Sequence, residues 1–346
     1  MQVFLTGGTG FIGQALVRAM RGRGWHVTAL VREPDAAAGR WLADRGVRLV
    51  RGDVTQPAGL REAMQGADVV VHNAGVYEIG ANRALVERMR AVNVDGTRHV
   101  LGAAREAGVA RSVYVSTVWA HGPCGPEAGD ERSPRRRSDV NAYAPTKFDA
   151  HDEALRERER GLPLSIVMPN AVVGANDHSL FGHLLRLYLM NRLPPTAWGA
   201  ESVFAMVEVH ALAEGICLTA ERADMGEDYH FSGEPQTIRQ MLGHWGRHSG
   251  GVAPFLWLPG WLMKMQLWPL EPLQRWAGLP AFLSREAVSS GLCHLNFSSA
   301  KARRDLGWTH PDPTTMWDRI IEEERRLLAL RRGFLDRLRV MPVAPA

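Results

Sequence analysis

Short apolar runs and stretches of helical spacing alternate through the first half of the chain. Gln2 to Leu5 is apolar and stops at glycines, and Phe11 to Met20 carries its apolar residues at helical spacing. His26 to Val31, Val47 to Val50, Asp68 to His72 and Ser112 to Ser116 repeat the strand pattern, with helical stretches between them. Runs that are apolar throughout, rather than alternating, suit strands covered on both faces. Strands separated by helices join in parallel. The pattern therefore predicts an α/β fold built on a doubly wound parallel sheet.

After about Pro169 the rhythm changes. Residues 176–203 read as a polar loop followed by an apolar helix around Leu184 to Met190. Residues 204–231 return to the sheet, with a helix at Ala211 to Ala220. Residues 250–283 are rich in Trp, Leu and Pro, and a charged amphipathic helix starts near Thr314. His121 to Asn141, with Arg135-Arg136-Arg137, reads as a solvated irregular loop. No internal repeat is present.

The 346 residues suffice for one large α/β unit or a large domain with a smaller one. A formal charge of +4 suits an anionic cofactor and gives no basis for a nucleic-acid partner. Cys124, Cys217 and Cys293 lie far apart without metal-ligand spacing, so no metal is expected and free thiols in a reducing compartment are. Met1 leads straight into an apolar strand, and no run of about 18 apolar residues occurs. A cytoplasmic location without a transmembrane segment follows as the expectation.

TGGTGFIG, Thr6 to Gly13, places Gly7, Gly10 and Gly13 between a strand and a helix. Glycines there let backbone N–H groups approach a pyrophosphate at the positive helix end. At the tip of the second strand stands Arg32, where a carboxylate would hold a ribose 2′-hydroxyl. A guanidinium pairs instead with a 2′-phosphate, so NADP(H) is favoured over NAD(H), with Glu33 as the residue that would support NAD(H). Asp53, after the third strand, either accepts from the adenine amino group or caps the next helix.

YAPTK puts Tyr143 and Lys147 four residues apart, on one face of a helix. The ammonium is expected to favour the phenolate and lower the tyrosine pKa. Upstream, the strand ending Ser116-Thr117 offers a hydroxyl to hold a substrate oxygen opposite Tyr143.

With TGGTGFIG, GDV at Gly52 to Val54, VVHNAG at Val70 to Gly75, VNVDGT at Val92 to Thr97, YVST at Tyr114 to Thr117, YAPTK and FSSAKARRDLGW at Phe297 to Trp308, the chain resembles the extended short-chain dehydrogenases/reductases of the epimerase/dehydratase superfamily. The stretch from MPNAVVG onward is most similar to dihydroflavonol-reductase-like and 3β-hydroxysteroid-dehydrogenase-like members. The resemblance implies a Rossmann-type sheet over 1–169, with 204–231 returning to it. A smaller, mostly helical substrate-binding domain would comprise 170–203 and 232–330, followed by a tail at 331–346. It further implies Thr117 as the catalytic hydroxyl, with Ser116 second, Tyr143 as acid/base and Lys147 as its partner. Gly7, Thr9, Gly10, Phe11, Ile12, Gly13, Val54, Ala74, Gly75, Asn93 and Pro169 would bind or frame the cofactor. The chain departs from the family pattern at His151, where many relatives carry an acid, and at Glu208-Val209-His210-Ala211.

The activity implied is carbonyl/alcohol interconversion on a small hydrophobic molecule. A nucleotide-sugar epimerase or dehydratase and a non-catalytic dinucleotide-binding regulator are the competing readings, and a homodimer is compatible with all of them. Trp257, Trp261, Trp268 and Trp276 form either packed core, an aromatic wall for the substrate, or a peripheral membrane contact.

Overall fold

The computed structural model describes residues 1–249, 256–276, 283–331 and 333–342. Seven strands form one parallel sheet: β1 (Gln2–Thr6), β2 (His26–Val31), β3 (Arg48–Arg51), β4 (Val69–His72), β5 (Arg111–Val115), β6 (Leu164–Pro169) and an edge strand, Tyr229–Phe231. Their order is Tyr229–Phe231, β6, β5, β4, β1, β2, β3. β2 and β3 run outward on one side of β1, and the other four strands lie on the other. The order thus reverses between β1 and β4, which opens a crevice beyond their carboxyl ends.

Both faces of the sheet are covered, which is why β4 reads VVVH with every residue buried. On one face Val3, Leu5, Val71 and Val113 pack with Leu16 and Met20 of helix Phe11–Gly22 and Leu212 and Ile216 of helix Val209–Arg222. On the other, Phe4, Val70, Tyr114 and Ile166 meet Val100 and Leu101 of helix Gly96–Glu106 and Ala150 and Ala154 of helix Tyr143–Glu159.

A second core gathers Leu185, Tyr188, Phe204, Met241, Trp245, Leu295, Trp317 and Ile320 beside the sheet. It is stitched by two-residue strand pairs: Val172–Val173 with Val207–Glu208, Val203–Phe204 with Gln236–Thr237, and Thr196–Ala197 with Leu256–Trp257. Two residues are too few to show an alternating pattern, so these pairs leave no trace in the sequence. The helix predicted from Leu184 begins a turn earlier, at Leu180–Leu189. Glu208, in the departing EVHA stretch, caps helix Val209–Arg222 by accepting from His210 N and Ala211 N at 2.9 Å each.

The C-terminal helix Pro313–Ala329 leads into an anchored tail. Arg331 donates to Asn176 Oδ1 at 3.0 Å, and Asn176 exchanges bonds with Met341 at 2.8 and 2.9 Å. Gln14 Nε2 donates to Pro342 O at 3.1 Å, so the tail reaches the glycine-loop helix. Among the described residues, no helix is long and apolar enough to cross a membrane.

Candidate active site

A cavity of about 540 Å³ opens where the strand order reverses. Its lining follows the strand ends in turn: Gly7 after β1, Arg32 after β2, Asp53 after β3, Ala74 after β4, Thr117 after β5 and Pro169 closing β6. Thr9, Gly10, Phe11, Ile12, Val54, Gly75, Ser116, Tyr143 and Lys147 complete the predicted residues that reach it.

The glycine turn is built for close approach. Gly7 has φ +73°, and a Cβ there would fall 2.7 Å from Ala74 N. A Cβ on Gly13 would meet Gly7 O at 2.0 Å, so Gly13 packs helix Phe11–Gly22 against the loop instead of lining the cavity. Gly10 caps that helix without a side chain, and its first turn carries no acid. An uncapped helix start facing a cavity fits a pyrophosphate. Arg32, exposed at the β2 tip, lines the cavity; Glu33 does not. Asp53 spends Oδ1 on Thr55 N and Oγ1, both at 2.9 Å, which makes it the anchor of its own turn as well as a lining residue.

Asn93 stands behind the wall. It is buried, its Oδ1 accepts from Val76 N at 2.8 Å, and its Nδ2 donates to Val76 O and Thr146 Oγ1, both at 3.0 Å. With both ends of the amide engaged, Asn93 holds the loop after β4 to helix Tyr143–Glu159 and has no direct contact to offer a cofactor.

Helix Tyr143–Glu159 begins under Asn141, whose Oδ1 accepts from Tyr143 N at 3.1 Å and Ala144 N at 2.8 Å. Tyr143, Lys147 and His151 then share one face at four-residue spacing. Lys147 Nζ donates to Tyr114 Oη at 3.0 Å and to Val115 O at 3.2 Å, which leaves one of its three N–H groups for the cavity. The two β5 hydroxyls differ. Ser116 Oγ is bonded to His151 Nδ1 at 2.9 Å, in a buried pair. Thr117 Oγ1 accepts from Trp119 N at 3.3 Å and lines the cavity with Tyr143, whose phenol feels its hydroxyl.

Burial raises the Tyr143 pKa and outweighs the opposing pull of Lys147 and of the Thr117 hydroxyl. The lowered tyrosine pKa expected from the motif is therefore corrected: desolvation wins, and the phenol keeps its proton at neutral pH. Lys147 is pulled down by burial, but the phenols of Tyr114 and Tyr143 more than compensate, so it stays an ammonium.

Residues that the motifs did not single out support this centre. His72, fully buried, accepts from or donates to Thr6 Oγ1 at 2.7 Å and Thr97 Oγ1 at 3.1 Å, and stacks on Tyr114 at 5.4 Å. Burial, with Lys147 nearby, takes its pKa to about 3, so it is neutral. Tyr77 meets the Tyr143 ring edge-on at 4.9 Å. Their only signal in the sequence is that they lie within or directly after the quoted motifs VVHNAG and YVST.

The far half of the cavity is apolar, walled by Trp119, Phe181, Leu184, Trp198, Phe204 and Leu242. Every lining residue drawn from 180–204, 238–242 and 290–295 is uncharged. Of the readings open for Trp257, Trp261, Trp268 and Trp276, the aromatic wall is not found: none of the four lines the cavity, Trp257 packs against the second core, and the last three project into solvent. Residues 250–255 and 277–282 of that stretch lie outside the described residues.

Residues 3–231 match the NAD dependent epimerase/dehydratase family. The chain belongs to that family. Among curated members it is 33% identical to the 4-hydroxy-2-methyl-3-oxo-4-farnesyl-3,4-dihydroquinoline-1-oxide ketoreductase of Stigmatella aurantiaca, over 70% of this chain and 71% of that one. It is 27% identical to the 3-beta-hydroxysteroid dehydrogenase of Mycolicibacterium neoaurum, over 89% and 86%. The UDP-glucose 4-epimerase of Thermotoga maritima, solved with UDP-glucose, shares the family fold at TM-score 0.76 and 17% identity, over 95% of this chain and 100% of that one.

Proposed function

We propose that the protein is an NADP(H)-dependent oxidoreductase that interconverts a ketone and a secondary alcohol on a hydrophobic small molecule. The observation that supports this reading best is the joining, in one cavity, of Thr117, Tyr143 and Lys147 to an aromatic-walled chamber whose walls from 180–204, 238–242 and 290–295 are uncharged. A nucleotide-sugar diphosphate needs cations to replace its hydration, and the residues from 180–204, 238–242 and 290–295 supply none; Arg88 also lines the cavity, but with Glu78 as a charged neighbour. This favours a simple ketone over the epimerase or dehydratase reading. The intact tyrosine and lysine argue against a non-catalytic regulator.

Gly7, Thr9, Gly10, Phe11 and Ile12 would hold the dinucleotide's phosphates, and Arg32 its 2′-phosphate. Lys147 would use its remaining N–H on the nicotinamide ribose. When bound, the nicotinamide supplies or accepts the hydride. Thr117 holds the substrate oxygen beside Tyr143, which donates its phenolic proton to that oxygen in reduction; in oxidation the tyrosinate, its proton first lost to solvent, takes the alcohol proton. The raised Tyr143 pKa supports the donor role, because the phenol is protonated before reaction.

A panel of hydrophobic ketones and secondary alcohols with NADPH or NADP, followed at the nicotinamide absorbance, tests the reading. Turnover of lipophilic ketones is expected. Turnover confined to nucleotide sugars would refute it.

A further inference from the structure

We infer that the helix pair Gly260–Leu267 and Leu270–Trp276 is a docking surface for the interfacial region of a phospholipid bilayer. On Gly260–Leu267 the inward positions are Met263 and Leu267, which pack with Val288 and Trp198. Gln274 and Glu271 fasten the second helix to the same support: Gln274 bonds Leu283 N and O at 3.0 and 2.7 Å, and Glu271 accepts from Arg285 N at 2.8 Å. The pair is therefore seated, and its outward face is fixed.

That outward face is apolar. Trp261 is 67% exposed, Met265 61%, Trp268 64% and Trp276 85%. Trp261, Met265 and Trp268 follow one another at spacings of four and three, which places them on one side of the chain's helical path. Large apolar side chains in contiguous exposure mark an interaction site. The polar content of the face decides what it meets. Among the residues of 256–276 whose side chains are described, the other exposed ones are Leu256, Leu273, prolines and Gln266, and the one acid, Glu271, is buried. A protein partner is held by about one hydrogen bond per 100–200 Å² of interface, and the described side chains of this face offer almost none. Acyl chains require none, and indole suits the headgroup boundary, with its ring in the apolar layer and its N–H in the wet one. The absence of an exposed carboxylate and the half-buried Lys264 are compatible with phosphate headgroups.

The surface also sits beside the chamber. Helix Arg285–Gly291, which carries Val288 against the helix pair, gives Ser290 and Gly291 to the cavity lining, and Trp198 belongs to both. Docking would hold the chamber within one helix layer of the source of lipophilic molecules.

The test uses the purified full-length protein and vesicle flotation. Phosphatidylcholine vesicles, with and without phosphatidylglycerol, are compared at low and high salt. Wild type is expected to float with both compositions, to keep doing so at high salt, and to show a blue shift of its tryptophan emission. The combined variant Trp261→Ser, Met265→Ser, Trp268→Ser is expected to lose roughly tenfold or more in vesicle partition, since binding scales with buried apolar area. Its unfolding midpoint and NADPH affinity should match wild type, because none of the three residues is in the core or the cavity. Equal flotation of the variant would overturn the inference, as would absence of wild-type flotation. Binding only to anionic vesicles and only at low salt would overturn it too, and so would a dimer that the variant dissociates.

Discussion

Two hydroxyls close β5, and their partners separate their roles. Ser116 is committed to His151 in a buried pair, at the position where the family pattern departs, while Thr117 lines the cavity with Tyr143. Thr117→Val is therefore expected to lower kcat by roughly 10² or more, the scale of one lost oxygen-holding bond. Ser116→Ala should leave kcat near wild type and lower stability by about 1 kcal/mol, the cost of an unpaired buried partner. Steady-state kinetics and urea unfolding of both variants check this, and a larger kcat loss for Ser116→Ala would reverse the assignment. Arg32 governs the other end of the cavity. Wild type should bind NADPH more tightly than NADH, and Arg32→Asp should shrink or invert that ratio, since a carboxylate repels the 2′-phosphate. Titration of both cofactors measures it, and a wild-type preference for NADH would rule out the role given to Arg32.

Three elements bring buried imidazoles together beneath the active-site helix. His121 follows β5, His151 lies on helix Tyr143–Glu159, and His230 lies on the edge strand; His121 is 6.2 Å from His151 and 5.0 Å from His230, ring to ring. Burial, with neighbouring charges, takes His121 to about 4 and holds His151 and His230 well below the ordinary imidazole value. Both ring nitrogens of His230 are buried without a partner. Because these folded-state pKa values lie below the unfolded value near 6.5, acid protonates the unfolded chain first. Stability is then full above about pH 6.5 and falls as the pH drops toward the folded values, by about 1.4 kcal/mol per unit for each imidazole. Glu131, which accepts from His230 N at 2.8 Å and is raised by burial, works in the opposite direction. A variant comparison isolates the ring. Between about pH 7 and pH 5.5, His230→Leu should lose roughly 1 kcal/mol less than wild type in urea unfolding. An equal acid loss in the two proteins would show that His230 does not contribute.

At the scale of the molecule, the sheet and the cofactor end were legible because their chemistry is local. TGGTGFIG and YAPTK each set a backbone turn or a helical spacing within a few residues, and the buried strands spell themselves out as apolar runs. The chamber was not legible in the same way. Its walls come from residues as far apart as Trp119 and Leu295, joined by strand pairs two residues long. The Trp-rich stretch offered a wall by composition, yet Trp257 packs against the second core, and Trp261 faces out because Met263 and Leu267 satisfy the inward side of its helix. The sign of the Tyr143 shift also depended on tertiary burial, which the spacing of Tyr143 and Lys147 does not encode. The proposed carbonyl reduction in this cavity depends on the proton held by Tyr143. The most direct measurement is the turnover of wild type and Tyr143→Phe on a ketone that wild type reduces, with NADPH affinity measured beside it. The variant keeps the ring and loses the proton, so kcat should fall by roughly 10² or more while NADPH binding stays within about twofold. Near-wild-type turnover in Tyr143→Phe would contradict the account.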